Sequence, residues 1–223
     1  MSYTKTEENY LKAIYKLYSN EGMEVATNVI AEKLNTKASS VTDMMKKLAQ
    51  KKLVNYEKYK GVSLTKNGDD VAINIIRNHR IWEVFLVEKL GYKWDEVHEI
   101  AEQLEHIKSE ELIDRLSEYL GNPKYDPHGD PIPNKKGVIP KRKKAVLLSE
   151  LKIGEKGKIV GVKNTTNEFL QYLEETQLTI GQELSIDKEF EFDKSKVLKV
   201  KKHTVTISKE VSTQLIIEKA HKE

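Results

Sequence analysis

Six residues able to ligate a divalent cation, His79, Glu83, His98, Glu102, Glu105 and His106, lie within 28 residues of a chain that has no cysteine. At roughly 100° per helical residue, His98, Glu102, Glu105 and His106 share one arc of a helix, so four ligand atoms could converge from a single element. Val97, Ile100, Ala101, Leu104 and Ile107 occupy the opposite side, and a merely solvated face above a core explains this helix equally well. The preceding segment tips the balance. His79 and Glu83 sit inside an apolar stripe of Ile75, Ile76, Trp82, Leu86 and Leu90, where a buried imidazole and carboxylate need a partner. An i, i+4 hydrogen bond between them is one answer. A metal ion shared with the second helix is the answer that the two segments together favour.

The elements that must position these groups are readable from periodicity and punctuation. Tyr10, Leu11, Ile14, Leu17 and Tyr18 predict a first helix, Val29, Ile30 and Leu34 a short second, and Val41, Met44, Met45 and Leu48 a third that starts at Ser39 and Ser40. Asn35 to Ala38 is a turn of helix-turn-helix length. Two β-prone runs between Leu53 and Leu64, joined at Lys60-Gly61, predict a hairpin, and Thr65 is placed to cap a long helix after it. Helix-turn-helix followed by hairpin is the order of a winged helix. All five prolines fall between 123 and 140, with Gly121, Gly129 and Gly137 and the basic run 141–144, which excludes regular helix or central strand there. Beyond it, Gly157 to Val162, Glu183 to Ile186, Val197 to Val200 and Thr204 to Ile207 read as short strands, with a helical turn at Glu168 to Leu173. Four or five short strands in about 80 residues suggest a small barrel.

The expected architecture is therefore a mainly α N-terminal half with a small all-β C-terminal barrel. Its parts are a winged-helix DNA-binding domain at 1–65, a helical metal-binding domain at 66–122, a Pro-rich basic linker at 123–144 and the barrel at 145–223.

The net charge of +3 conceals an uneven distribution. Residues 1–65 hold 11 Lys against 7 acids, residues 66–122 hold 7 basic against 13 acidic, residues 123–144 hold 7 against 2, and the rest balances at 13 each. A basic head suits a phosphate-rich partner and an acidic middle suits a cation. On the third helix Ser39, Thr42, Asp43, Lys46 and Gln50 face away from the apolar stripe, and Lys58 and Lys60 stand at the hairpin tip. Thr27, Lys37, Ser40 and Lys47 complete the candidate DNA-contacting set. Hydroxyls and lysines also solvate ordinary helices, and the helix-turn-helix with its wing is what favours DNA. No arginine occurs in residues 1–65, so lysine contacts to phosphate should dominate affinity and make it steeply salt-dependent.

Absent cysteine excludes disulfides and thiolate metal sites and fits a reducing compartment. No apolar run approaches the ~18 residues of a membrane span, and the N-terminus lacks a charged-then-apolar pattern. The expectation is a cytoplasmic protein without a membrane partner.

The stretches Glu8-Asn9-Tyr10-Leu11-Lys12-Ala13-Ile14-Tyr15, Ser39-Ser40-Val41-Thr42, Tyr56 to Gly61, Arg77-Asn78-His79-Arg80, Glu105-His106 and Pro127-His128-Gly129-Asp130-Pro131-Ile132-Pro133 resemble the diphtheria toxin repressor family over the whole chain. That resemblance implies a non-enzymatic, metal-dependent repressor of metal homeostasis, in which 66–122 is a metal-binding and dimerisation domain and 145–223 an SH3-like domain. It would bind double-stranded operator DNA as a homodimer built on the 66–120 helices, with no small-molecule substrate. It also implies two metal positions. His79, Glu83 and His98 match an ancillary site, with a further donor sought in the Asn164 to Glu168 loop. Glu102, Glu105 and His106 match the activating site. Asn9 stands where relatives have aspartate or methionine, and Asp126 stands where some have cysteine and could restore the missing carboxylate. Lys12 replaces an acidic ligand of some single-domain manganese regulators, which argues against their paired-ion arrangement. Oxygen and imidazole donors without thiol favour Mn²⁺ first and Fe²⁺ next, with Co²⁺ or Zn²⁺ able to bind in vitro. A metallohydrolase and a metal-independent winged-helix regulator are the rivals; no His-Glu-x-x-His motif supports the former.

Overall fold

A computed structural model describes residues 3–21 (backbone alone from 19), 24–57, 60–142 and 145–220. The chain opens with α1 (Lys5–Glu21), α2 (Thr27–Lys33) and α3 (Ala38–Gln50), followed by the antiparallel hairpin β1 (Val54–Glu57) and β2 (Gly61–Leu64). Tyr10, Leu11 and Ile14 of α1, Ile30 of α2, Val41, Met45 and Leu48 of α3 and Val54 and Val62 of the hairpin form one apolar cluster. The helical spacing of these side chains is what turns three short helices into a unit. Helix α3 begins one residue earlier than its serines suggest. Lys37 is the N-cap and offers no side-chain bond, so Ser39 and Ser40 lie exposed in the first turn rather than capping it.

Helix α4 (Lys66–Leu90) is the spine. Thr65 Oγ1 accepts from Gly68 N at 3.1 Å, which caps it, and Gly91 ends it in the left-handed conformation at φ 72°. Gly68 is demanded by packing, because a Cβ there would stand 2.0 Å from the Leu53 carbonyl oxygen. Helices α5 (Val97–Leu104) and α6 (Glu110–Tyr119) pack on α4, and α1 packs on it from the other domain.

The proline-rich stretch has no regular element, yet it is not a loose tether. Ile132 is buried with Ile81, Val84 and Ile113, and the Arg80 guanidinium donates to the Pro131 carbonyl at 2.6 Å and to Asp130 at 3.0 Å.

The C-terminal region is a six-stranded antiparallel sheet rather than four or five strands. Its order is β3-β8-β4-β5-β6-β7, from β3 (Ala145–Leu147), β4 (Lys156–Val162), β5 (Glu183–Glu189), β6 (Lys196–Val200), β7 (His203–Ile207) and β8 (Leu215–Lys219). Helix α7 (Asn167–Glu175) and the short α8 (Lys209–Ser212) accompany it. Trp94, from the α4–α5 loop, is inserted into this domain's apolar core beside Leu170, Leu173 and Leu178. Its indole N–H donates to Glu174 at 3.2 Å. No helix among the described residues is long and apolar enough to cross a membrane.

Candidate metal centre

The donor-rich residues of α4 and α5 meet where α1 and the 126–130 loop pack against them. His79 and Glu83, one helical turn apart on α4, are buried as their place in the apolar stripe requires. His79 Nε2 lies 3.0 Å from Glu83 Oε1 and 3.2 Å from His98 Nδ1, while its Nδ1 lies 2.7 Å from Glu105 Oε2. Burial alone would lower the His79 pKa, but the Glu105 and Glu83 carboxylates outweigh it and raise it. His79 thus joins two groups, His79–Glu83–His98 and His79–Glu102–Glu105, in each of which one donor atom per residue lies within 4.8 Å of the others.

A third such group, Glu83–Asp126–His128, is fully buried. The loop that presents it is clamped to the C-terminal sheet, since Val162 N donates to the His128 carbonyl at 3.0 Å. Gly129 makes that approach possible: its φ is +86°, and a Cβ would stand 2.2 Å from the Val160 oxygen. His128 donates through Nε2 to the Trp94 carbonyl at 2.7 Å, which turns Nδ1 toward Glu83 Oε2 at 3.7 Å. Burial opposes its protonation, yet Glu83, Asp126 and that carbonyl raise its pKa to about 9. Asp126 accepts from the backbone N–H groups of His128 and Asp130, both at 2.9 Å. Burial and the charges of Glu83 and Asp130 nonetheless push it up to about 7.

Two expectations about this cluster need correction. Helix α5 ends at Leu104, so Glu105 is its C-cap and His106 lies beyond it rather than on the same helix. The side chains nonetheless stay close: His98 Nε2 lies 3.6 Å from Glu102 Oε1, and His106 Nε2 lies 3.6 Å from Glu105 Oε1. Glu105 also meets His79, while His106 Nδ1 meets Glu8 Oε2 at 2.7 Å, and Lys108 also pairs with Glu8. Asp126, expected beside Glu102, Glu105 and His106, sits instead with Glu83 and His128. In the Asn164 to Glu168 loop, Thr165 lines the central cavity, whereas Glu168 is exposed.

The residues fit a divalent cation on their own chemistry. Every donor is oxygen or imidazole nitrogen, which suits first-row ions of intermediate hardness. The crowding that raises Asp126 signals a deficit of positive charge. Asn9 Oδ1 is buried with no hydrogen-bond partner among the described residues, a cost that coordination would remove.

Sequence reasoning passed over Glu8 and His128 as candidate ligands. Both lie in stretches singled out for resemblance, but neither has a ligand partner at helical spacing. It also left open where Lys12 would go. The Lys12 ammonium donates to Glu102 Oε1 at 2.7 Å and to Glu105 Oε1 at 2.6 Å. Burial would raise Glu102, but the Lys12 charge and hydrogen bond, helped by His79 and His98, hold it below the ordinary carboxylate value.

On the candidate DNA face, Lys37, Ser39, Ser40, Asp43, Lys46, Lys47 and Lys60 are exposed, and Thr27 and Thr42 are half-buried. Thr42 donates its hydroxyl to the Ala38 carbonyl at 3.0 Å, and Asp43 pairs with Lys46 at 3.2 Å. Lys60 pairs with Glu57 at 2.8 Å, and Lys58 lies outside the described residues. Lys47 and Lys51 reach back to the buried Glu7 of α1 at 3.1 and 2.7 Å. The residue after Glu7 is the Glu8 that holds His106, so adjacent carboxylates of α1 grip α3 on one side and the metal-ligand segment on the other.

Residues 2–62 match the family described as iron dependent repressor, N-terminal DNA binding domain. Residues 65–134 match iron dependent repressor, metal binding and dimerisation domain, and residues 146–219 match the FeoA domain. An uncharacterised HTH-type transcriptional regulator of Methanocaldococcus jannaschii is 39% identical over 51% of this chain and 90% of its own. The iron-dependent repressor IdeR of Mycobacterium tuberculosis is 36% identical over 57% of this chain, and that match spans only 55% of the relative. A solved manganese-dependent transcriptional repressor in complex with manganese superposes with a TM-score of 0.83 at 31% identity, covering 96% of this chain and 100% of the other. Likeness that extends from the winged helix through the donor-bearing helices to the β domain, in one continuous order, makes this chain a member of the iron-dependent repressor family typified by the diphtheria toxin repressor.

Proposed function

We propose that this chain is a metal-responsive transcriptional repressor that binds operator DNA as a homodimer and takes Mn²⁺, or next Fe²⁺, as its activating ion. The observation that carries the reading is the position of α1 between the buried donors and α3. His79, Glu83 and His98, with Asp126 and His128, would hold one ion. Glu102, Glu105 and His106, with Asn9 and Glu8 at hand on α1, would hold the activating one. A bound ion would take the place of the Lys12 ammonium at Glu102 and Glu105, and it biases the protein only if one arrangement of α1 holds it more tightly. Glu7 then transmits the position of α1 to α3 through Lys47 and Lys51. Ser39, Ser40, Thr42, Asp43 and Lys46 of α3 would enter the major groove, with Thr27, Lys37 and Lys60 near the backbone. The divisions at 65, 122 and 144 serve as working domain boundaries. The centre's imidazoles engage carboxylates, one another or the Trp94 carbonyl rather than a hydroxyl nucleophile, which favours coordination over catalysis.

Fluorescence anisotropy with labelled promoter DNA from a metal-uptake operon tests this. Chelator should abolish binding, and Mn²⁺ or anaerobic Fe²⁺ should restore it. The metal-independent alternative draws on the Lys12 bridges, which satisfy two carboxylates without an ion. Undiminished DNA binding in chelator would establish that alternative and defeat the proposal.

A further inference from the structure

The ammonium of Lys12 occupies the lone pairs that an ion at Glu102 and Glu105 would need. It is nearly buried, with its side chain 8% exposed, and it contacts one oxygen of each carboxylate. Glu105 places its second oxygen on His79. Two facing carboxylates taken out of water repel one another, and removing one member of a buried charge pair is strongly unfavourable. The fold solves this with a cation supplied by α1, some ninety residues earlier in the chain.

We propose that Lys12 is an affinity-determining residue of the metal centre, a tethered cation that competes with the divalent ion for Glu102 and Glu105. This rests on the metal-centre reading above and adds to it. The ammonium neutralises the pair in the metal-free protein and must give up these oxygens when both turn to an ion. A cavity of about 40 Å³ beside it has room for a water molecule and is also walled by Asp130, whose half-exposed side chain accepts from Arg80 at 3.0 Å. Metal affinity is then reduced by the strength of the Lys12 bridges, because only the fraction of molecules with Lys12 withdrawn is competent. The same exchange frees α1 from α5 at this point, so the threshold for metal and the position of α1 become one equilibrium.

Mn²⁺ titration of the chelator-treated full chain, followed by electron paramagnetic resonance of free Mn²⁺ and by melting temperature, separates the outcomes. Lys12→Met should bind Mn²⁺ at least about tenfold more tightly than wild type. Its metal-free melting temperature should fall, with a larger recovery on adding Mn²⁺. Lys12→Arg, which keeps the charge, should stay near wild type. If Lys12→Met does not fold without metal, Lys12→Gln, neutral but able to donate, is expected to show the same tightening. Wild-type or weaker affinity in the neutral variant overturns the competition and leaves the centre standing. Failure of the wild type itself to take up Mn²⁺ overturns the centre, and the role of Lys12 with it.

Discussion

The two cores of this protein are built on opposite principles. In the C-terminal domain, Leu148, Ile159, Leu170, Leu184, Leu198, Leu215 and Ile217 fill the interior, and the few buried polar groups there are Ser195, Lys196 and Ser212. Around α1, α4 and the 126–130 loop, by contrast, Glu7, Glu8, Lys12, Arg77, His79, Glu83, Glu105, Asp126 and His128 are all buried. The first interior needs no ion, because apolar burial asks for no partner. The second depends on every charge finding an opposite one, so any cation that enters or leaves rearranges it. A sensor belongs in the second kind of interior. The two are nonetheless fastened together, through Trp94 in the apolar core and His128 on the Trp94 carbonyl.

The contrast can be broken most severely at Glu105. Glu105→Ala leaves the buried Lys12 ammonium with Glu102 alone and His79 with Glu83 alone, and it should cost about 3–5 kcal/mol of metal-free stability while abolishing Mn²⁺-dependent DNA binding. Paired denaturant melts and anisotropy titrations measure both effects. Leu198→Ala in β6 should cost about 2–5 kcal/mol, yet the stabilisation gained on adding Mn²⁺ should equal that of wild type. A lost metal response in this variant would show that the cores are not independent. A smaller effect, about 1 kcal/mol, is expected for Thr65→Ala, which removes the cap of α4 without touching a charge; circular dichroism melts with and without Mn²⁺ should shift by equal amounts.

The finest test is acid. Burial opposes ionisation of Glu7, but Lys51, the Thr4 N–H and Lys47 overcome it and bring its pKa from 4.5 to about 2. A depressed carboxyl contributes its stability above its unfolded pKa and loses it as pH falls through the folded one. Wild type should therefore lose this contribution progressively between about pH 4.5 and 2. Glu7→Gln should start lower at neutral pH and converge with wild type as pH falls across that window. Parallel curves would detach Glu7 from the α1–α3 link.

Much of the architecture was legible because it is local. Thr65 and the Ile75 to Leu90 stripe mark α4, and the apolar alternation either side of Lys60-Gly61 marks the hairpin. The serine cap of α3 misled because the turn closes at Lys37, where the chain is extended with φ −81° and ψ 141°. Strands β3 and β8 escaped notice for different reasons. Three residues carry no period, and Leu215 to Lys219 gains its strand character from lying between β3 and β4. In the centre, His79 and Glu83 were legible as a buried polar pair. The direction of His106 was not, since the helix that would have aligned it stops at Leu104.

The sequence by itself determined the donor types, the absence of thiol, the two modes of periodicity and the basic head, because each depends on residue identity or on neighbours within a few turns. Tertiary structure alone decided that Asp126 and His128 join Glu83, that Glu8 meets His106, and that Lys12 lies between Glu102 and Glu105. Those contacts join residues 43 to 98 positions apart. Nothing in local propensity encodes them; they follow from the packing of α1 against α4 and of the 126–130 loop against the sheet, which brings charges together that the chain itself keeps far apart.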